Sequence, residues 1–226
     1  MTKKTLDQDF FKNWAPTMAY VLGFFAADGT MIKNKREGHF IEFHITDRKL
    51  LFDIRRAVSS NHKIAIRVRN PKWKLGYRLQ IGSKRWFSDL QRLGFSSRKS
   101  NVMLFPNVPD EFLGSFIRGY FDGDGCVYFK NLKFADRKKA RWILMSVFTS
   151  GSRQFLMQLH TALKRHGVQG GSIRNKKSGY DLSLSHKDSL ALYRLMYDTV
   201  SDTSIMLPRK YRLFTKAINT LYPLRP

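Results

Sequence analysis

The sequence predicts an α+β fold built from two copies of one αββαββα unit. Three observations predict it. A nine-residue stretch, VLGFFAADG at 21–29, returns as IRGYFDGDG at 117–125, so that Gly23, Asp28 and Gly29 are matched by Gly119, Asp124 and Gly125. Each copy closes an apolar, helix-like run on a carboxylate. After each copy, short strand-like runs interleave with helical ones in a repeating order.

The elements follow in chain order. Behind Asp28, HFIEFHIT (39–46), HKIAIRVRN (62–70) and GYRLQIGS (76–83) are short, partly alternating and rich in β-branched or aromatic residues, as strands are. Between them DRKLLFDIRRAV (47–58) places Leu50, Leu51, Ile54 and Val58 on one helical side. KRWFSDLQRLG (84–94) is a further helix, stopped by Gly94. The seam FPNVPDEF (105–112) is punctuated by Pro106 and Pro109, and Asp110 is placed to cap the next helix. Behind Asp124, CVYFK (126–130) and RWILMSVFTS (141–150) are strands, although both faces of the latter are apolar and its phase stays ambiguous. SRQFLMQLHTALKRHG (152–167) is a helix ending in glycine, GGSIRNKK and YDLSLSH pair through a turn near Ser178 and Gly179, and KDSLALYRLMYD (187–198) is helical. LPRKYRLFTKAINTL makes a C-terminal amphipathic helix. Each half therefore reads helix, two strands, helix, two strands, helix, with the halves at 1–107 and 108–226.

Composition narrows the partner. The 226 residues carry 41 Lys+Arg against 17 Asp+Glu, a net charge of +24. A surplus of that size calls for a polyanion, with nucleic acid first and an anionic membrane surface second. The single cysteine, Cys126, excludes an internal disulfide and a cysteine-based zinc site. The start MTKKTLDQDFF lacks the apolar region of a secretory signal, and Asp7 and Asp9 argue against a transit peptide. An intracellular place is expected: a bacterial or archaeal cytoplasm, or an organelle that encodes the protein. The longest strongly apolar run, MAYVLGFFAA (18–27), is too short to span a bilayer.

The acidic helix ends need a reason. Ala19 and Gly23, and likewise Ser115 and Gly119, are small residues on one helix face, spaced to let backbones approach closely. If those faces pack on each other, the halves become related by a pseudo-two-fold axis and the two C-terminal ends meet. Asp28 and Asp124 would then lie together beside the negative poles of their own helices. That placement is unfavourable without a cation. Mg²⁺ suits it, because it is held by one or two carboxylates plus substrate phosphates. In a strongly basic chain the combination points to metal-assisted phosphodiester hydrolysis. An Asp-Gly pair behind a helix is often only a turn, but a matched second copy is not explained that way. Asp122 has no counterpart, Ala26 filling its place in the first copy, and reads as a structural group or one that supports its neighbours.

At these residues the sequence resembles the LAGLIDADG homing endonucleases in their two-motif, single-chain form. VLGFFAADG and IRGYFDGDG fit the nine-residue signature, the strand and helix order fits around them, and LGFSSRKSNVMLFPNVP looks like the family's linker. The resemblance implies two saddle-like antiparallel sheets over DNA. It implies that Asp28 and Asp124 bind the catalytic metals, aided by the carbonyls of Ala27 and Gly123, and that each serves one strand. It implies Mg²⁺ as cofactor, with Mn²⁺ able to substitute and Ca²⁺ supporting binding without efficient cleavage. It implies a monomer that cuts both strands of a long DNA target across the minor groove and leaves 3′ overhangs. A basic residue is expected near each site: Lys99 in the first half and Lys210 in the second, where the repeat-equivalent position holds Asp202.

Strand alternation names the expected DNA-reading faces. Arg67 and Arg69 oppose Ile66 and Val68, Arg78 and Gln80 oppose Leu79 and Ile81, and Glu42 and His44 oppose Phe43 and Ile45. A two-stranded ribbon fits the major groove, where Arg suits guanine and Gln adenine. Lys33 joins this set in the first half, and Tyr128, Lys130, Arg174, Lys176, Ser183 and Ser185 form the set in the second. The halves differ at these positions, so an asymmetric target is expected. The alternatives are a non-cleaving DNA-binding protein or an RNA maturase on the same scaffold. The chain starts MTKK and ends PLRP, without a first Cys or Ser or a terminal His-Asn, so protein splicing is not expected.

Overall fold

The computed structural model of the chain describes residues 3–68, 74–97, 99–135, 138–201 and 204–223, the side chains at 99 and 100 aside. The chain forms two compact units. The first comprises Met1–Lys99, Pro106–Gly123 and Asp202–Ile205, and the second Ser100–Phe105, Asp124–Ser201 and Met206–Pro226. The sequence repeat and the packing thus divide the chain differently: the second motif helix follows residue 107 in sequence but packs, up to Gly123, within the first unit.

In the first unit α1 (Pro16–Asp28) starts on a proline, whose fixed φ suits the first helical position. Every residue from Met18 to Ala26 is buried, so this helix is apolar all round and forms the centre of the core. It leads directly into β1 (Gly29–Lys33), which pairs with β2 (His39–Ile45). Then come α2 (Arg48–Ala57), β3 (Ile64–Arg67), β4 (Gly76–Gly82) and α3 (Lys84–Arg92). The sheet is wholly antiparallel in the order β1-β2-β4-β3. Met31, Ile41, Phe43, Leu79 and Ile81 form its buried face. Side chains cap the helices: Asp47 accepts from the Leu50 amide at 3.1 Å and Ser83 from the Trp86 amide at 3.1 Å. A short α4 (Lys99–Val102) precedes α5 (Asp110–Asp124), the second motif helix.

The second unit repeats the sheet. β5 (Gly125–Leu132), β6 (Arg141–Ser150), β7 (Ser172–Lys176) and β8 (Gly179–Ser185) are antiparallel in the order β5-β6-β8-β7. α6 (Arg153–Lys164), α7 (His186–Tyr197) and α8 (Pro208–Leu221) complete it. Val127, Phe129, Leu144, Phe148, Leu182 and Leu184 face its core.

Several sequence expectations are adjusted. β1 is a strand that alternation did not single out, because GTMIK is too short to show a period. β3 is confined to Ile64–Arg67 within the expected 62–70, of which 69 and 70 lie outside the described residues. Asp110 is the first residue of α5, where its charge meets the helix's positive pole, rather than the residue before it. The phase of β6 is resolved by a buried hydroxyl pair. Ser146 points inward with Leu144 and Phe148 and donates to Ser189 Oγ at 3.0 Å, and Ser189 donates to the Leu184 carbonyl at 3.2 Å. A polar residue can lie on a core face when its hydrogen bonds are met there.

Candidate functional site

Within the first unit α1 and α5 cross at their glycines. A Cβ on Gly23 would overlap the Phe116 carbonyl oxygen, and one on Gly119 would overlap the Tyr20 carbonyl oxygen. Only glycine permits this approach, because the obstacle on each side is backbone and cannot rotate away. Ala19, one turn before Gly23, is fully buried, while Ser115 is half-buried. The crossing carries through to the helix ends. A Cβ on Gly123 would overlap the Ala27 methyl and stand 3.2 Å from Asp28 Oδ2. The last turn of α5 therefore lies against the carboxylate that ends α1.

Both motif helices end without a basic residue in the last turn. Asp28 and Asp124 are half-buried, each at the negative pole of its own helix. Among the described residues no group of three or more His, Cys, Asp or Glu could hold a metal ion. The donors at the helix ends are single carboxylates and carbonyls, Ala27 and Gly123 being half-buried as well. This donor set fits Mg²⁺, which takes hard oxygen ligands, keeps several waters and draws further oxygens from a phosphate.

A polar cluster ties the two helices together. The Tyr20 hydroxyl donates to Asp122 Oδ2 at 2.7 Å. Asp122 is 1% exposed and Arg118, one turn earlier, is 4% exposed. The Arg118 guanidinium lies 5.5 Å from the centre of the Tyr20 ring and donates from Nε to the Ile205 carbonyl at 3.3 Å. The sequence offered one signal for this cluster: Asp122 is the acid in the second motif that has no partner in the first.

Of the two expected basic residues, Lys99 opens α4 and its side chain lies outside the described residues, as does Asp202. Lys210 is described. It lies on α8, is 5% exposed, and donates from Nζ to the Gly125 carbonyl at 2.5 Å. That carbonyl belongs to the residue directly after Asp124.

Of the expected reading residues of the first unit, Glu42, His44, Arg67, Arg78 and Gln80 lie on one sheet face, whereas Lys33, at the end of β1, falls in register with Met31 and Ile41 on the other. Register puts Glu42 opposite Gln80 and His44 opposite Arg78 in β2 and β4, with Ala65 opposite Arg78 and Arg67 opposite Gly76 in β3 and β4. Arg67 is exposed, and Arg78 and Gln80 are half-buried. Glu42, expected on the solvent side, is only 4% exposed, because Gln80, Arg78 and His44 close over its carboxylate. Ile66, on the opposite face from Arg67, is 65% exposed, so the core does not reach β3. Lys33 is exposed and pairs with Glu37 at 2.6 Å, and that hydrogen bond holds the Glu37 carboxyl below its usual range. Arg69 lies outside the described residues.

In the second unit Tyr128 and Lys130 lie on the outward face of β5, with the Lys130 ammonium 5.6 Å from the Tyr128 ring centre. Ser183 stands opposite Val147 and Ser172, and Ser185 opposite Met145. Arg174 is exposed opposite Asp181. Lys176 pairs with Asp181 at 3.1 Å, and Asp181 also accepts from Thr149 Oγ1 at 2.6 Å. No helix among the described residues is long and apolar enough to cross a membrane.

Comparison with known proteins agrees with this architecture. The family model of the LAGLIDADG-like domain matches residues 15–99 and again 111–196. Reverse gyrase of Methanocaldococcus jannaschii is 29% identical over 115 residues, 51% of this chain, and the match spans only 7% of that protein's length. Among solved structures, the homing endonuclease I-WcaI bound to its DNA recognition sequence aligns at TM-score 0.59 and 16% identity, over 91% of this chain and 90% of that one. I-SmaMI bound to an uncleaved DNA target in the presence of calcium ions aligns at 0.56 and 13% identity over 92% of each chain. The same enzyme bound to cleaved DNA aligns at 0.57 and 13% identity over 93% of each. At these identities the structural likeness is one of fold.

Proposed function

The chain belongs to the family of LAGLIDADG-like domains, and from that premise we propose that it is a site-specific DNA endonuclease. It acts as a monomer on a long, asymmetric double-stranded target, breaks both strands and leaves 3′ overhangs. The sequence halves at 1–107 and 108–226 each read one side of the target. One observation carries the proposal: α1 and α5 cross glycine to carbonyl and bring Gly123 against Asp28, the acid on which α1 ends. A fold that needed these helices only for packing would gain nothing from ending both on carboxylates.

Asp28 and Asp124, with the carbonyls of Ala27 and Gly123, would hold divalent cations. When bound, such cations neutralise charge on a phosphodiester and acidify water at neutral pH. Mg²⁺ is the proposed cofactor and Mn²⁺ a substitute, with Ca²⁺ supporting binding alone. The I-SmaMI complex with uncleaved DNA and calcium ions is in keeping with that division. Lys210 holds the backbone beside Asp124 through Gly125 and keeps a positive charge near the chemistry. Lys99 is proposed as its first-half counterpart. The outward sheet faces read the bases, and the +24 charge draws the phosphate backbone onto them.

The direct test starts from the uninterrupted DNA sequence across the gene's insertion point, because such enzymes cut the allele that lacks their own gene. Incubation with Mg²⁺ should give one double-strand break with 3′ overhangs. Tight, selective binding with no strand break in Mg²⁺ or Mn²⁺ would replace the endonuclease reading with that of a binding protein on the same scaffold.

A further inference from the structure

On the outward face of the first sheet, one carboxylate joins a row of polar side chains. Glu42 Oε1 accepts from Gln80 Nε2 at 2.5 Å and from the Arg78 guanidinium at 3.3 Å. Its Oε2 lies 2.9 Å from His44 Nε2. Arg67, on the edge strand β3 beyond β4, lies against the His44 ring, 3.2 Å from Nε2 and 3.3 Å from Nδ1.

The chemistry of a carboxylate fixes what these partners present. An ionised carboxylate accepts hydrogen bonds and donates none, so each partner must turn an N–H toward it. The Gln80 amide is thereby locked with its nitrogen toward Glu42, leaving Oε1 and the second amide hydrogen for a base edge. His44 turns an Nε2–H to the carboxylate, and its ring is thereby held where Arg67 rests against it. Glu42 therefore sets the orientation of Gln80 and Arg78 directly, and of Arg67 through His44. Its own position excludes a reading role. It is 4% exposed, its two oxygens are already engaged, and it is an anion on a face built for a polyanion.

We propose that Glu42 is a specificity-determining positioning residue, which touches no nucleic acid and fixes the donor and acceptor pattern that Arg78, Gln80 and Arg67 offer to base edges. This rests on the endonuclease reading above. Gln80, held in this sense, presents the acceptor and donor pair that suits adenine, and Arg78 retains donors that suit guanine. A free glutamine or arginine would sample several such arrangements and discriminate less.

The test is selection of bound duplexes from a randomised library, in Ca²⁺ at one fixed salt concentration, by the wild type, Glu42→Gln, Gln80→Ala and Arg78→Ala. Discrimination by Glu42→Gln should fall by about tenfold at the base pairs that Gln80→Ala and Arg78→Ala also relax. It should stay intact at base pairs read by the second half, and affinity for unrelated duplex should stay equal or rise. A wild-type preference retained by Glu42→Gln, or a loss spread evenly over the whole site, would overturn the proposal. Should Glu42→Gln fail to fold, coupling between the partners decides. Sharing one carboxylate means that Arg78→Ala also disturbs the base pair assigned to Gln80, and strictly independent effects would overturn the proposal. A wild type that selects no sequence at all overturns the endonuclease reading and this inference with it.

Discussion

The Tyr20 hydroxyl donates to the buried carboxylate of Asp122 at 2.7 Å, and in doing so links the two motif helices side chain to side chain. The bond closes on a carboxyl oxygen away from water, where an unmet polar group is expensive. Tyr20→Phe should destabilise the protein by about 1–2 kcal/mol. In a chain of this length that is a fall of roughly 2–8 °C in melting temperature. Thermal unfolding followed by circular dichroism reads it directly, and an unchanged melting temperature would show that the bond contributes nothing net.

The glycine crossings give a second prediction with an internal control. At Gly23 and Gly119 an added Cβ runs into a carbonyl of the opposite helix, so Gly23→Ala and Gly119→Ala should each cost about 3 kcal/mol or more, through forced separation of the helices. At Gly94 nothing lies within 4 Å, and only the positive φ of 93° opposes a side chain, so Gly94→Ala should cost about 1 kcal/mol. Urea unfolding of the three variants compares steric with conformational cost. Equal midpoints would mean that the helices part freely.

Much of this arrangement was legible before the fold was known, because it rests on repetition. Gly23 and Gly119 announced their crossing by recurring at one offset from a recurring Asp-Gly, and strand alternation placed Arg78 and Gln80 on the face away from the buried Leu79 and Ile81. Single-residue facts were harder to read. Ser146 faces the core because Ser189, many residues later, meets its hydroxyl, and no local pattern encodes that. Glu42 is likewise buried by partners on its own and another strand, whereas alternation alone places any charged residue outward. β1 escaped notice because five residues carry too little periodicity, and the burial of Lys210 depends on where α8 packs in its unit.

Lys210 makes a third prediction. A buried ammonium that holds the carbonyl beside Asp124 should matter to chemistry far more than to binding. Lys210→Met should slow cleavage by about 100-fold, while affinity for the target in Ca²⁺ changes by no more than a few fold. A single-turnover assay beside a binding titration separates the two. A parallel loss in both would assign Lys210 to DNA contact instead.

The charge balance makes a fourth. If the basic surface neutralises backbone phosphates, the logarithm of affinity should fall linearly with the logarithm of salt, with a slope near −0.9 for each phosphate engaged. Engagement of about six to ten phosphates would lose roughly 10³ to 10⁵ in affinity between 50 and 200 mM salt. Fluorescence anisotropy across that range measures it, and a flat response would remove the +24 surface from the DNA contact.

The central claim is that the two carboxylates ending the motif helices do the metal-dependent work. The most direct measurement is cleavage of the cognate duplex in Mg²⁺ by the wild type, by Asp28→Asn, by Asp124→Asn and by the double variant, with Ca²⁺-supported binding measured in parallel. The wild type should break both strands, each single variant should at most nick, and the double variant should leave the duplex intact while still binding it. Double-strand cleavage by the double variant at the wild-type rate would contradict the account.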